Sequence, residues 1–184
     1  MNDTPALKFP VSVRNLPQKG LAVTIKADER ERAALARDHG LEEVKSFEAE
    51  LQIMPWKKRG VKVHGRIVAE IVQSCVVTLE PIDARMAETV ESIFVPDDSS
   101  LARIRLDESG EMLIDAEGPD MPETFSGDHL DIGAIAEEFF ELNLDPFPRK
   151  AGLPDEPLSI ESGDMAPEKP VSPFVKLADW KKKS

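Results

Sequence analysis

One thiol, three imidazoles and two tryptophan–cation clusters are the groups in this chain best suited to chemistry. Cys75 is the single cysteine, which excludes an intrachain disulfide and a multi-thiolate zinc site. A cysteine nucleophile needs a base beside it, and the neighbouring Gln73 and Ser74 supply none. Cys75 therefore reads as a small buried hydrophobe. His39, His64 and His129 are scattered and lack paired metal-ligand spacing. The carboxylates between Asp97 and Asp128 lack the ligand spacing of a calcium loop and read as a solvated acidic stretch. No glycine loop is arranged to cradle phosphate. The expectation is a chain without catalytic residues, metal or cofactor.

Binding chemistry is better represented. Trp56, Lys57, Lys58 and Arg59 set an indole beside three cations, and Trp180 precedes Lys181, Lys182 and Lys183. Cations neutralise phosphates and an indole stacks on an unpaired base, as an RNA contact requires. Each cluster also reads as an ordinary turn or an ordinary basic terminus. Lys62, His64 and Arg66 lie two apart, which on a strand puts them on one face next to the first cluster. Phe174 lies in a second apolar island, Pro173 to Trp180, which reads as a docking segment on a polar tether or as one that folds back on the domain.

The elements that must position these groups follow from periodicity. Val61, Val63, Ile67, Ala69 and Ile71 alternate with Lys62, His64, Arg66 and Glu70, one buried face and one wet. A second arm from Ile82 to Val95 carries Ile82, Ala84 and Met86 on one face, and its alternation blurs after Glu88. Phe47 to Ile53 is a third strand, linked to the first arm through residues 54–60, so 47–95 predicts a three-stranded meander. Leu7 to Val13 and Leu21 to Ile25 predict two earlier strands, the first at an edge because of Pro10. Asp28 with Glu31 forms a capping box for a helix that Gly40 ends. Leu35 is the helix's only large apolar side chain, so it should lie on the sheet surface.

Residues 96–128 change composition and predict an irregular, partly mobile acidic insertion, strand-like only at Leu101–Leu106 and Glu111–Asp115. Asp131 should cap a second helix with Ile132, Ile135, Ala136, Phe139 and Leu142 facing the core. Glu137, Glu138 and Glu141 should lie outside that stripe, and Asp145 to Pro148 should end the helix. The predicted fold is α+β: a mostly antiparallel sheet with two helices, barrel closure being left open. Residues 1–150 form one domain and residues 151–184 a disordered tail with a short apolar and basic end.

Net charge is −12 over 184 residues, unevenly spread. Met1 to Arg66 has 13 Lys/Arg against 9 Asp/Glu, Ile67 to Pro148 has 3 against 20, and the remainder 7 against 6. A middle segment that acidic repels phosphate and attracts basic proteins, or simply confers solubility. No signal-peptide run or membrane-spanning stretch is visible, so the expected location is the cytoplasm.

Three segments carry a family resemblance: Cys75-Val-Val-Thr-Leu-Glu-Pro81, Asp131 to Leu142, and Asp145-Pro-Phe-Pro-Arg-Lys150. In these the chain resembles the YceD family of large ribosomal RNA subunit accumulation proteins, in its alphaproteobacterial branch. The resemblance runs from about Phe9 to Lys150 and resumes at Ser172 to Leu177. Cys75, Leu79, Pro81, Asp131, Pro146 and Pro148 are its motif positions here. It implies a non-enzymatic factor for synthesis, processing or accumulation of large-subunit ribosomal RNA. Many members have Cys-x-x-Cys where this chain has Cys75 and Thr78, so a metal or redox role for that pair does not carry over. The implied partner is ribosomal RNA or a pre-ribosomal particle, reached through a basic ribosomal protein or a maturation enzyme, with direct RNA contact as the alternative. No membrane or DNA partner is expected, and an enzyme built on Cys75 is the remotest reading.

Overall fold

The computed structural model describes residues 5–57, 59–102 and 121–153. Contacts divide the chain into two compact units, Met1–Ala151 and Gly152–Ser184. Lys58, Phe174, Trp180, Lys181, Lys182 and Lys183 lie outside the described residues, as do Glu111–Asp115 and most of Leu101–Leu106.

The strongest alternation in the sequence gives the longest strands. These are β1 (Pro10–Ser12), β2 (Leu21–Lys26), β3 (Glu43–Trp56), β4 (Gly60–Ser74), β5 (Pro81–Pro96), β6 (Glu123–Phe125) and β7 (His129–Asp131). The helices are α1 (Glu29–Asp38) and α2 (Ile132–Leu142). Five strands form an open sheet in the order β2-β3-β4-β5-β6, and β1 pairs with β7 in a separate ribbon. The sheet does not close into a barrel. Its first three pairings are antiparallel, whereas β6 joins β5 in parallel through Phe94, Val95 and Pro96. The predicted meander is therefore present, with β2 added at its side.

Strand β4 is paired along its length on both sides. Its inward residues Val61, Val63, Ile67, Ala69 and Ile71 are all buried. They meet Phe47, Ala49, Leu51 and Ile53 of β3 and Met86, Val90 and Phe94 of β5 in one core. Gly65 is the gap in the β4 alternation, and its neighbours explain it. A Cβ there would lie 2.0 Å from the Glu50 carbonyl oxygen and 2.8 Å from the Leu51 Cα, so only glycine fits.

Several local expectations need correction. The first strand covers only Pro10–Ser12 of the predicted Leu7–Val13, because Leu7 and Phe9 use their amides on side chains of the last helix. Strand β3 continues through Trp56, so the link to β4 is a tight turn rather than a seven-residue connection. The alternation of β5 runs on to Val90 and then blurs as expected, with Ile93 half-buried and the adjacent Phe94 and Val95 both buried. The insertion contains strand β6, and Leu101 sits in a single 3-10 turn at Ser100–Ala102 rather than in a strand.

The capping box of α1 is formed: Asp28 Oδ1 accepts from the Glu31 amide at 2.9 Å, and Glu31 Oε2 accepts from the Asp28 amide at 2.8 Å. Leu35 is fully buried, and Gly40 follows with a φ of 65°.

Helix α2 is rotated from the predicted stripe. Ile132, Ile135 and Ala136 are buried and Phe139 packs half-buried against the core as expected, but Leu142 is 72% exposed and Phe140 is fully buried instead. Glu137, expected outside, is buried. Two backbone ties fix this rotation. Asp131 Oδ1 accepts from the Phe9 amide at 2.8 Å while capping Gly133 and Ala134. Glu137 Oε2 accepts from the Leu7 amide at 2.9 Å, and its other oxygen lies 3.3 Å from His39 Nε2. Gly133 faces the same segment, with Leu7 backbone 2.8 Å from where its Cβ would stand. Phe140 packs edge-on to both His39 and Phe47.

Gly65→Ala should be among the most damaging single changes in this fold. Overpacking against backbone costs about 1–3 kcal/mol or more, so denaturant melts should show a matching loss of stability.

Candidate functional site

The first tryptophan–cation cluster sits on the turn between β3 and β4. Lys57 and Arg59 both have left-handed backbone, with φ of 46° and 63°. The Lys57 ammonium lies 4.2 Å from the Trp56 ring centroid, a cation–π contact. Arg59 Nη2 donates to both oxygens of Asp98, at 2.7 and 2.8 Å. That contact raises the Arg59 pKa further and holds the Asp98 carboxyl below its ordinary range. Lys57, Arg59, Asp98, Ser99, Ser100 and Leu101 line a shallow depression here.

The strand-face cations are placed as the period-two reading requires. Lys62, His64 and Arg66 point to the side of β4 away from the core. They do not form an unbroken patch. Lys62 Nζ donates to Glu91 Oε1 at 2.6 Å across the β4–β5 ladder, which lowers the Glu91 pKa. His64 stands directly across from Glu91, and Arg66 across from Glu50. The same lacing recurs at Lys26–Glu48 and Lys45–Asp83. The cationic start of the chain and its anionic centre are thus intermixed on this face, not separated as the sequence arithmetic suggests. Exposed pairs of this kind contribute little stability, but they cancel local charge.

A second built feature lies at the β4–β5 turn. The Cys75 amide donates to the Glu80 carbonyl and the Leu79 amide to the Cys75 carbonyl, both at 2.9 Å. Residues 145–150 run alongside this turn. Gln73 Nε2 donates to the Asp145 carbonyl at 2.9 Å, and the Val76 amide to the Pro148 carbonyl at 2.9 Å. Cys75 Sγ is fully buried and accepts from the amides of Thr78 at 3.5 Å and Lys150 at 3.4 Å. The Thr78 hydroxyl first, then these amides, stabilise the thiolate and lower the thiol pKa to about 6. Cys75 is therefore buried as expected, but as an acceptor of several polar contacts rather than a simple hydrophobe. The hydroxyl and the amides that act on its sulfur are not general bases. Leu79 is held at φ 60°, which costs a side-chain-bearing residue roughly 1 kcal/mol.

Two segments that the sequence places far apart, 73–81 and 145–150, are one structural unit. They carry Cys75, Leu79, Pro81, Pro146 and Pro148, and the remaining motif residue, Asp131, caps α2. The family described as "Large ribosomal RNA subunit accumulation protein YceD" matches the chain over residues 63–181. The chain belongs to the YceD family. The match begins inside β4 and includes both paired segments. No curated protein and no solved structure matches the chain. Family membership gives this YceD chain a role in the accumulation of large-subunit ribosomal RNA.

Sequence reasoning missed a second acidic feature. Glu138 on α2 has its carboxyl pushed above the usual range, first by partial burial and then by Glu123 and Glu141. Helical spacing places Glu138 near Glu141, but its approach to Glu123 of β6 is tertiary. Among the described residues none of these three is paired with Lys or Arg. No group of three or more His, Cys, Asp or Glu residues is arranged to hold a metal ion among the described residues. No described helix is long and apolar enough to cross a membrane.

The lowered Cys75 pKa has a pH signature. Folding favours the thiolate, so this contribution to stability is complete above the unfolded thiol pKa and disappears as pH falls through about 6. Ultraviolet absorbance of the thiolate should titrate with a midpoint of about 6 in the native chain and about 8.5 after denaturation. Stability should rise between those values in the parent and stay flat in Cys75→Ala.

Proposed function

We propose that this chain supports large-subunit ribosomal RNA accumulation as a non-enzymatic factor that binds a basic protein. That protein is a ribosomal protein or a maturation enzyme on the pre-ribosomal particle. The observation carrying this reading is the contrast between the two charge patterns. The cations that would have served RNA are laced with carboxylates, as in Lys62–Glu91 and Arg59–Asp98. Glu123 and Glu141 lie near Glu138, whose carboxyl is pushed up first by partial burial and then by those two like charges. A partner that brings Lys or Arg relieves that repulsion on binding, so its charge supplies both orientation and association rate. Phosphate would add to the repulsion instead.

Direct RNA contact through Trp56, Lys57 and Arg59 is the second reading. It is favoured by the half-exposed indole, although Lys57 already rests against it. The cytoplasm, where ribosomes are assembled, is the location that goes with either reading.

Co-sedimentation of the full chain with purified large-subunit precursor particles tests these readings. Under the first, binding survives nuclease trimming of exposed RNA and weakens about tenfold or more between low and moderate salt. The combined change Glu123→Gln, Glu138→Gln and Glu141→Gln should weaken binding and flatten its salt dependence. Binding that vanishes with nuclease, or falls only with Lys57→Glu and Arg59→Glu, establishes the RNA reading instead. Glu138→Gln alone should raise Tm at neutral pH, because it removes a charge the fold disfavours.

A further inference from the structure

The paired segments at the β4–β5 turn hold three apolar side chains out into solvent. Val76 is 48% exposed, Phe147 72% and Leu79 78%. They are close together by construction: the Val76 amide bonds to Pro148, next to Phe147, and Lys150 Nζ donates to Glu80, next to Leu79, at 2.6 Å. The support beneath them is stiff. Two backbone hydrogen bonds close the turn, the buried Cys75 sulfur takes amides from both segments, and prolines flank Phe147 on either side. Leu79 stands in left-handed backbone, a conformation that asparagine or glycine would adopt more readily. A large apolar side chain fixed there is disfavoured both by its backbone and by its exposure. Such strain at an exposed site points to recognition.

We infer that Val76, Leu79 and Phe147 form a rigid apolar knob that inserts into an apolar pocket rimmed by Lys or Arg on a partner protein. Charge selects that partner. Around the knob Glu80 is matched by Lys150, and Asp83 by Lys45. Beyond those pairs, Glu42 bonds Ser74 at the base of the turn and Asp145 caps the Phe147 amide, against Arg149 as the nearby cation in sequence. The rim therefore carries excess negative charge and complements a cationic pocket edge, whereas an RNA backbone would be repelled. The knob rests on the preceding reading, that the partner is a basic protein, and names where it docks. Its stiffness keeps the ordering cost of binding small.

The test uses the full chain and purified large-subunit precursor particles. A photo-crosslinking phenylalanine analogue is placed at Leu79 and, as a control, at Thr24 on the far strand β2. Leu79→Asn and Phe147→Ser are made in parallel. Leu79→Asn suits the backbone and should leave Tm unchanged or higher. The expected result is a Leu79-position crosslink to one Lys/Arg-rich protein, none from Thr24, and about tenfold weaker binding for each variant. Undiminished binding of both variants overturns the knob. So does a crosslink from the Leu79 position to RNA or to a second copy of this chain. If association remains nuclease-resistant and salt-sensitive while both variants bind normally, only the knob fails. If nuclease abolishes association, the basic-protein reading fails as well.

Discussion

The register of β4 between its two neighbours is the constraint on which most of this structure depends. A slip of one residue would turn Val63, Ile67 and Ala69 to solvent and bring Lys62 and Arg66 into the core. The observed register does the opposite on both faces at once. It lines the core with β-branched residues, and it sets Lys62 beside Glu91 and Arg66 across from Glu50. Gly65 lies at the centre of this arrangement. Its missing side chain admits the Glu50 carbonyl and lets the three long strands remain in contact. Core packing and surface charge pattern are thus two results of one ladder.

The second organising feature is the capture of the first residues by the last helix. Leu7 and Phe9 are not sheet partners for their whole length. Their amides bond to Glu137 and Asp131 side chains, while β1 pairs with β7 just before α2 begins. A buried carboxylate is expensive unless its oxygens are satisfied. Glu137 meets that requirement with the Leu7 amide on one oxygen and His39 near the other. The same carboxylate therefore joins the start of the chain, the end of α1 and the middle of α2.

Electrostatics distinguishes the three candidate surfaces. On the open sheet face opposite charges alternate, which limits long-range attraction for phosphate. Near α2 and β6 carboxylates gather, and Glu138 is pushed up first by partial burial and then by Glu123 and Glu141. At the β4–β5 turn Glu80 and Asp83 are paired with lysines, Glu42 and Asp145 leave a small acidic excess, and the exposed surface is apolar. A factor that engages an assembling particle through protein can use the last two together. On the proposed reading, one would draw a basic partner in from a distance, and the other would supply contact once it arrives.

Much of this was legible from the residues alone. Alternation at Val61–Ile71 and Phe47–Ile53, the Asp28–Glu31 capping box, and Asp131 as a cap all depend on neighbours close in sequence, and all are present. What went unseen depends on distant neighbours. Strand β6 has only three residues, too few to show a period, and exists because β5 offers it an edge. Phe140 rather than Leu142 is buried because Leu7 and Phe9, some 130 and 122 residues before their partners, set the rotation of α2. Net charge by segment described the totals correctly but not their arrangement, since antiparallel pairing brings Lys62 to Glu91 and Lys45 to Asp83. Local periodicity, caps and turns are short-range physics that a linear reading captures. Register, helix rotation and the pairing of charges are settled only when the chain returns on itself, because the groups that decide them are then neighbours for the first time.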